Sequence, residues 1–163
     1  MPEEDFTDML EKWTDIKTVI LSLDTNAYAQ NDVLADRQKV EQVTPVGAGG
    51  GVISSVVLKD FDDNARAITL IFLDANVSIG TENDPVSISD ANAAHIIGAV
   101  KITASDYVDM VNSQFAEIRN INMSFECRVD TQNIYVAAIY RDATGDTYTA
   151  NGIQLDIKLY RGM

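Results

Sequence analysis

Residues 46–63, VGAGGGVISSVVLKDFDD, place four of the chain's nine glycines directly before an acidic run. Two chemistries use such material: a glycine loop can cradle phosphate, and alternating acids can hold calcium. A P-loop needs G-x-x-x-x-G-K-[ST] between a strand and a helix. Here no lysine stands at the required place, and the glycines open VISSVVL, which is β-branched and strand-like. A dinucleotide fingerprint fails too, because Gly47 and Gly49 begin a spacing that breaks and leads into no helix. The expected role of Gly47 and Gly49–Gly51 is a flexible, positive-φ entry into a strand. DFDDN (60–64) puts Asp60, Asp62 and Asn64 at alternate positions. An EF-hand then requires Gly at position 6 and Glu at position 12. Ala65 and Ile71 occupy them, so an acidic hairpin loop is expected.

The remaining candidates are sparse. His95 is the sole histidine and has no neighbouring Ser or Cys nucleophile motif, so no triad is suggested. One His and one distant Cys fall short of a zinc set. His95 is expected to hydrogen-bond at the end of the turn SDANAAH (89–95), and Cys127 to be a small buried hydrophobe. A lone cysteine also excludes an intramolecular disulfide framework. With 25 acidic residues, carboxylate pairs arise anywhere, and none is singled out for glycoside chemistry. Tyr135, Tyr140, Tyr148 and Tyr160 lie on or beside strands, as core or edge residues rather than a sugar platform. No catalytic residue, cofactor site or metal site is expected.

Charge narrows the partners. Asp and Glu outnumber Lys and Arg 25 to 12, for a net charge of −13. Nucleic-acid binding starts from phosphate neutralisation by basic residues, and no stretch supplies them. The acidity keeps free copies soluble. MPEEDFTDML lacks the apolar core of a secretory signal, and no apolar run approaches the roughly 20 residues of a membrane span. Synthesis in a reducing cytoplasm is the expectation, with neither nucleic acid nor membrane as partner.

The elements follow from periodicity. In EEDFTDMLEKWTDI (3–16), Phe6, Met9, Leu10, Trp13 and Ile16 recur at helical spacing, and Glu3, Glu4 and Asp5 crowd the positive end of the helix dipole. This predicts an amphipathic N-terminal helix or arm over 1–16, folded on its own body or docked on a neighbour. From Lys17 the period becomes two. KTVILSLD (17–24) turns Val19, Leu21 and Leu23 to one face, and DVLADRQKVEQV (32–43) suits an edge strand. GVISSVVLKD (51–60) and RAITLIFLD (66–74) read as central strands. IIGAVKIT, NINMSFECRV, NIYVAAIYRD and IQLDIKLY follow, with DYVDMVNS as a short further strand. Ser89 or Asp90 caps a helical turn expected to cross from one sheet to the other. Asp, Asn and Gly fill the separators DFDDNA, ATGD and TANG. The fold class is therefore all-β, an antiparallel jelly-roll-like β-sandwich over residues 17–163 behind the N-terminal segment.

AYAQNDVLAD (27–36), GGVISSVVLKD (50–60) and ITLIFLDANVS (68–78) carry a resemblance to a known group. ENDPVSISDANAAHIIGAVKI (82–102) and NINMSFECRVDTQNIYVAAIYRDATGDTYTANGIQLDIKL (120–159) continue it. Over about residues 18–161 the chain resembles tailed-phage virion structural proteins of the capsid decoration or cement type. It departs at DVLADRQ, where that group often turns through glycines, and at NIYVAAIYRD; the N-terminal stretch lies outside the resemblance. The resemblance implies a non-enzymatic β-sandwich on the capsid surface, bound to the major capsid protein and to copies of itself as a homo-oligomer such as a trimer. Phe6, Leu10, Trp13 and Ile16 are the candidate subunit-interface residues, since aromatic anchors tend to carry interface energy. A tail- or fibre-associated module reading a host surface ligand through TENDPVS (81–87) and RDATGDTYTANG (141–152) is the alternative. A hydrolase using loop carboxylates is the third reading.

Overall fold

The computed structural model describes residues 14–161. They form ten strands: β1 Thr14–Ile20, β2 Val33–Val40, β3 Gly50–Asp60, β4 Ile68–Leu73, β5 Ile96–Ile102, β6 Tyr107–Asp109, β7 Gln114–Ile118, β8 Met123–Glu126, β9 Ile134–Tyr140 and β10 Ile153–Arg161. A single helical turn, α1 (Asp90–Ala93), precedes β5, and a 3-10 turn (Ala104–Asp106) follows it.

Every ladder is antiparallel, and the pairs are nested: β1 with β10, β2 with β9, β3 with β7 and β8, β4 with β5. The chain is thus one long hairpin. Rolling it up adds the ladders β10–β3 and β9–β4. Two sheets result, β1-β10-β3-β7-β6 with β8 also on β3, and β2-β9-β4-β5. This is the strand order of a jelly roll.

Side-chain alternation explains the layering. In β10, Ile153, Leu155, Ile157 and Leu159 are buried, while Gln154, Asp156, Lys158 and Tyr160 face outward. Val19, Leu21 and Leu23 point inward as their period-two spacing predicts. With Val56, Leu58, Leu70, Phe72, Val136 and others they form the core between the sheets. β9 is apolar on both faces. Its Ala137 and Ile139 pack with Val33, Leu73 and Ile79 in a second cluster on the outside of the β2-β9-β4-β5 sheet. The β4–β5 loop covers that face with Val77, Val86 and Ile88.

Hydrogen bonds fasten this cover. Val33 N–H donates to the Asp84 carbonyl (2.9 Å), and Asn83 N–H to the Val33 carbonyl (2.9 Å). Ile79 N–H donates to the Asp36 carboxylate at 3.0 Å. Gly80, at φ +145°, makes the turn that this route requires.

Several expectations are corrected. Thr14–Ile16 belong to strand β1, so the arm predicted over 1–16 gives way to strand at Thr14. Ile16 is a strand residue; Phe6, Leu10 and Trp13 lie outside the described residues. Ser89 does cap α1, accepting from Asn92 N–H at 3.2 Å. That turn does not cross between sheets, since β4 and β5 pair with each other. The crossing comes later, at the 3-10 turn closed by Thr103 and Asp106. β7, QFAEI in sequence, was not legible as a strand because only two bulky apolar side chains mark it.

Candidate interaction surfaces

The glycine cluster lies at the start of β3, and none of Gly47, Gly49, Gly50 and Gly51 adopts positive φ; Ala48 does, at 57°. The positive φ expected of these residues is therefore wrong. Close approach is the reason at Gly49, Gly50 and Gly51, though not at Gly47. A Cβ on Gly51 would lie 2.5 Å from the Tyr160 carbonyl oxygen and 2.7 Å from the Phe125 ring.

The calcium-like loop is not the hairpin expected from sequence: it carries the chain from β3 in one sheet to β4 in the other, and side chains cross-link it there. Asp60 is buried, and its carboxylate accepts backbone N–H bonds from Asp62 (3.0 Å), Asn64 (2.9 Å) and Ala65 (2.9 Å). Burial nevertheless raises its pKa. Asp62 accepts from the Thr149 backbone N–H at 2.9 Å and from its hydroxyl, tying this loop to residues 141–152. No group of three or more His, Cys, Asp or Glu side chains among the described residues is placed to hold a metal.

His95 follows α1, and its Nδ1 lies 2.8 Å from Asp74 Oδ1 and 3.3 Å from the Arg128 guanidinium. Cys127 is buried beside the Thr44 hydroxyl, and burial pushes its thiol up, away from the reactive thiolate. The two loops suspected of ligand recognition are closed on the body. Residues 81–87 form part of the cover described above. Residues 141–152 bury Tyr148 against Tyr28 and Tyr140, with ring centroids 6.0–6.5 Å apart. Arg66 pairs with Asp146 across the same loop.

The outward residues of β1 offer a different kind of surface. Among the described residues, β1 pairs with β10 alone and forms the edge of its sheet. Ile16 (57% exposed), Ile20 (54%) and Tyr160 (53%) stand outward there. Two ion pairs fix the strand end: Lys17 Nζ lies 2.9 Å from Asp15, and Arg161 also contacts Asp15. Partial burial opposes the charged form of Asp15, but the hydrogen bond and charge of Lys17, with Arg161 beside it, hold its carboxyl below the ordinary value. An unpaired strand edge with exposed isoleucines can pair with another chain. Of the sequence-derived interface set, Ile16 alone can be placed, and it sits on this face. Ile20 and Tyr160 were missed, although apolar residues at outward positions of alternating strands are a usable signal.

Two further surfaces are apolar or cationic. The β6–β7 hairpin exposes Val108, Met110 and Val111, the last in the left-handed region at φ 77°. At the far end of the outer sheet face, a cleft of ≈ 300 Å³ is lined by Ala67, Thr69, Lys101, Ile102, Thr103 and Arg141. Sequence could not bring Lys101 and Arg141 together; the β5–β4–β9 order does.

No family model matches the chain, and no curated protein sequence matches it. Among solved structures, it is similar to Desmodium yellow mottle tymovirus at 13% identity and TM-score 0.34, covering 91% of this chain and 84% of that one. It is similar to Tomato aspermy virus at 9% identity and TM-score 0.36, covering 92% and 76%. A third structure is the K3 adhesin domain of Lys-gingipain from Porphyromonas gingivalis, at 15% identity and TM-score 0.37, covering 84% and 72%. The jelly-roll order itself is read from this chain's own ladders.

No helix among the described residues is long and apolar enough to cross a membrane. What the described surfaces can do is bind another macromolecule, through an open strand edge, an apolar hairpin tip and a cationic cleft.

Proposed function

We propose that this chain is a non-enzymatic virion structural protein. It decorates or cements the exterior of a capsid by binding the major capsid protein and copies of itself, after synthesis in the host cytoplasm. The observation that carries this reading is the open, apolar edge of β1, with Ile16 and Ile20 outward and the stripe Phe6, Leu10 and Trp13 directly upstream in sequence. A firmly cross-braced jelly roll with such a margin suits bridging between subunits. The sequence resemblance to tailed-phage decoration proteins supports the same reading.

Preferential binding to an assembled lattice stabilises that lattice by mass action. The net charge of −13 repels the encapsidated genome and keeps unassembled copies soluble. Purified chain is expected to co-sediment saturably with expanded capsids and not with dissociated subunits. Sedimentation no greater than that of an unrelated acidic protein overturns the reading.

A further inference from the structure

The cleft at Thr69, Lys101 and Arg141 stands out in so acidic a molecule. Lys101 and Arg141 form no ion pair among the described residues, whereas most other Lys and Arg side chains there do. Arg141 is held in place: its Nε donates to Thr69 Oγ1 at 3.2 Å and one terminal nitrogen donates to Asn31 Oδ1 at 2.6 Å. Its backbone N–H donates to the Ala67 carbonyl at 2.8 Å. The guanidinium is thus positioned by neutral acceptors, so its charge remains uncompensated. Lys101 faces the same space from β5, paired across the ladder with Thr69. Ala67 and Ile102 supply apolar wall, and no carboxylate lines the cleft.

We infer that this cleft receives the acidic segment Glu3–Asp8 of a second copy of the chain, with Phe6 entering between the cations and flanking carboxylates meeting Lys101 and Arg141. The inference deepens the proposed self-association and rests on it. Charge complementarity selects the occupant: EEDFTD carries four carboxylates around one aromatic ring. Chain reach selects the copy. Thr14 pairs with Tyr160 at one end of the sandwich, whereas Arg141 and Ala67 lie at the other end, where β1 finishes at Ile20. Phe6 stands eight residues before Thr14, a reach of at most about 28 Å. The path from Thr14 runs the length of β1 (about 20 Å), over the sheet-to-sheet step (about 10 Å) and across two strand spacings (about 5 Å each). At about 40 Å, that path exceeds the reach of the chain's own Phe6. A neighbouring copy has no such limit.

The test is sedimentation equilibrium of the full-length chain with four variants: Phe6→Ala, Lys101→Glu with Arg141→Glu, Glu4→Lys with Asp5→Lys, and the combination of both charge reversals. Truncation and each charge reversal alone are expected to weaken self-association roughly tenfold, and the combination to restore most of it. Melting temperature reports whether each variant is folded. Weakening by Phe6→Ala without any effect of the Lys101 and Arg141 changes overturns the cleft as the site while leaving an interface-forming arm intact. A wild-type chain that stays monomeric overturns docking between copies, and capsid co-sedimentation then judges the virion reading separately. Failure of the combined reversal to restore association overturns the charge pairing.

Discussion

The Tyr28 hydroxyl accepts from Asp24 N–H at 2.7 Å and donates to the Leu34 carbonyl at 3.1 Å, pinning the segment between β1 and β2. The Tyr148 hydroxyl, equally deep in the same cluster, has no hydrogen-bond partner among the described residues. Burial raises the pKa of both, and that of Tyr140 is pushed up to about 12, so all three stay neutral at ordinary pH. Losing a satisfied buried hydroxyl costs about 1–2 kcal/mol, whereas losing an unsatisfied one removes a desolvation penalty. Tyr28→Phe is therefore expected to lower unfolding free energy by about 1–2 kcal/mol, and Tyr148→Phe to leave it unchanged or raise it, by urea denaturation. Equal losses from the two would contradict this assignment. Sequence placed Tyr140 and Tyr148 on or beside strands but did not single out Tyr28, which reaches them only through the nested hairpin.

At the scale of elements, the glycine stretch separates into different duties. Gly51 pairs with Arg161 in the β3–β10 ladder, and an added Cβ there would run into the Tyr160 carbonyl. Gly47 lies outside the strand, where an added Cβ would meet its nearest neighbours at an ordinary 3.7 Å. Gly51→Ala is expected to cost about 2 kcal/mol through forced displacement of Phe125 and β10, and Gly47→Ala far less, in thermal denaturation. Comparable losses would mean that close packing is not what holds Gly51. Alternation made the inward face of Val19, Leu21 and Leu23 legible in advance, and β3 and β10 were legible as strands. β7 escaped because Gln114 and Glu117 interrupt its apolar content. Ile16 misled because its three-residue spacing from Trp13 also fits a helix, whereas Ile16 in fact alternates with Thr14 and Thr18 along β1. The cover over the second sheet was hidden in plain residues: Val77, Ile79, Val86 and Ile88 read as loop, yet β9 needed both faces buried.

For the molecule as a whole, charge is organised rather than merely abundant. Asp156 on β10 accepts from Thr18 of β1 at 2.8 Å and pairs with Lys59 of β3 at 2.8 Å, bracing three strands across the outer face. Partial burial opposes its ionisation, but the bonds from Lys59, Thr18 and Gln154 hold its carboxyl below the ordinary value of 3.8. A depressed folded pKa contributes stability that is present above the unfolded value and lost as pH falls through the folded one. The gap in melting temperature between wild type and Asp156→Asn should thus be full at pH 6 and shrink as pH drops below about 4. Asp60 and Glu82, raised by burial, act in the opposite sense, and their contribution fades as pH rises. A gap that stays constant into acid would contradict the ionic brace.

A braced sandwich with an open β1 margin is, in this account, a piece of a shell. Co-sedimentation of the purified chain with expanded capsids, titrated to saturation beside an unrelated protein of similar acidity, tests that claim most directly. The account predicts a plateau at a fixed number of copies per capsid subunit. A linear, unsaturated trace that matches the acidic control would contradict it.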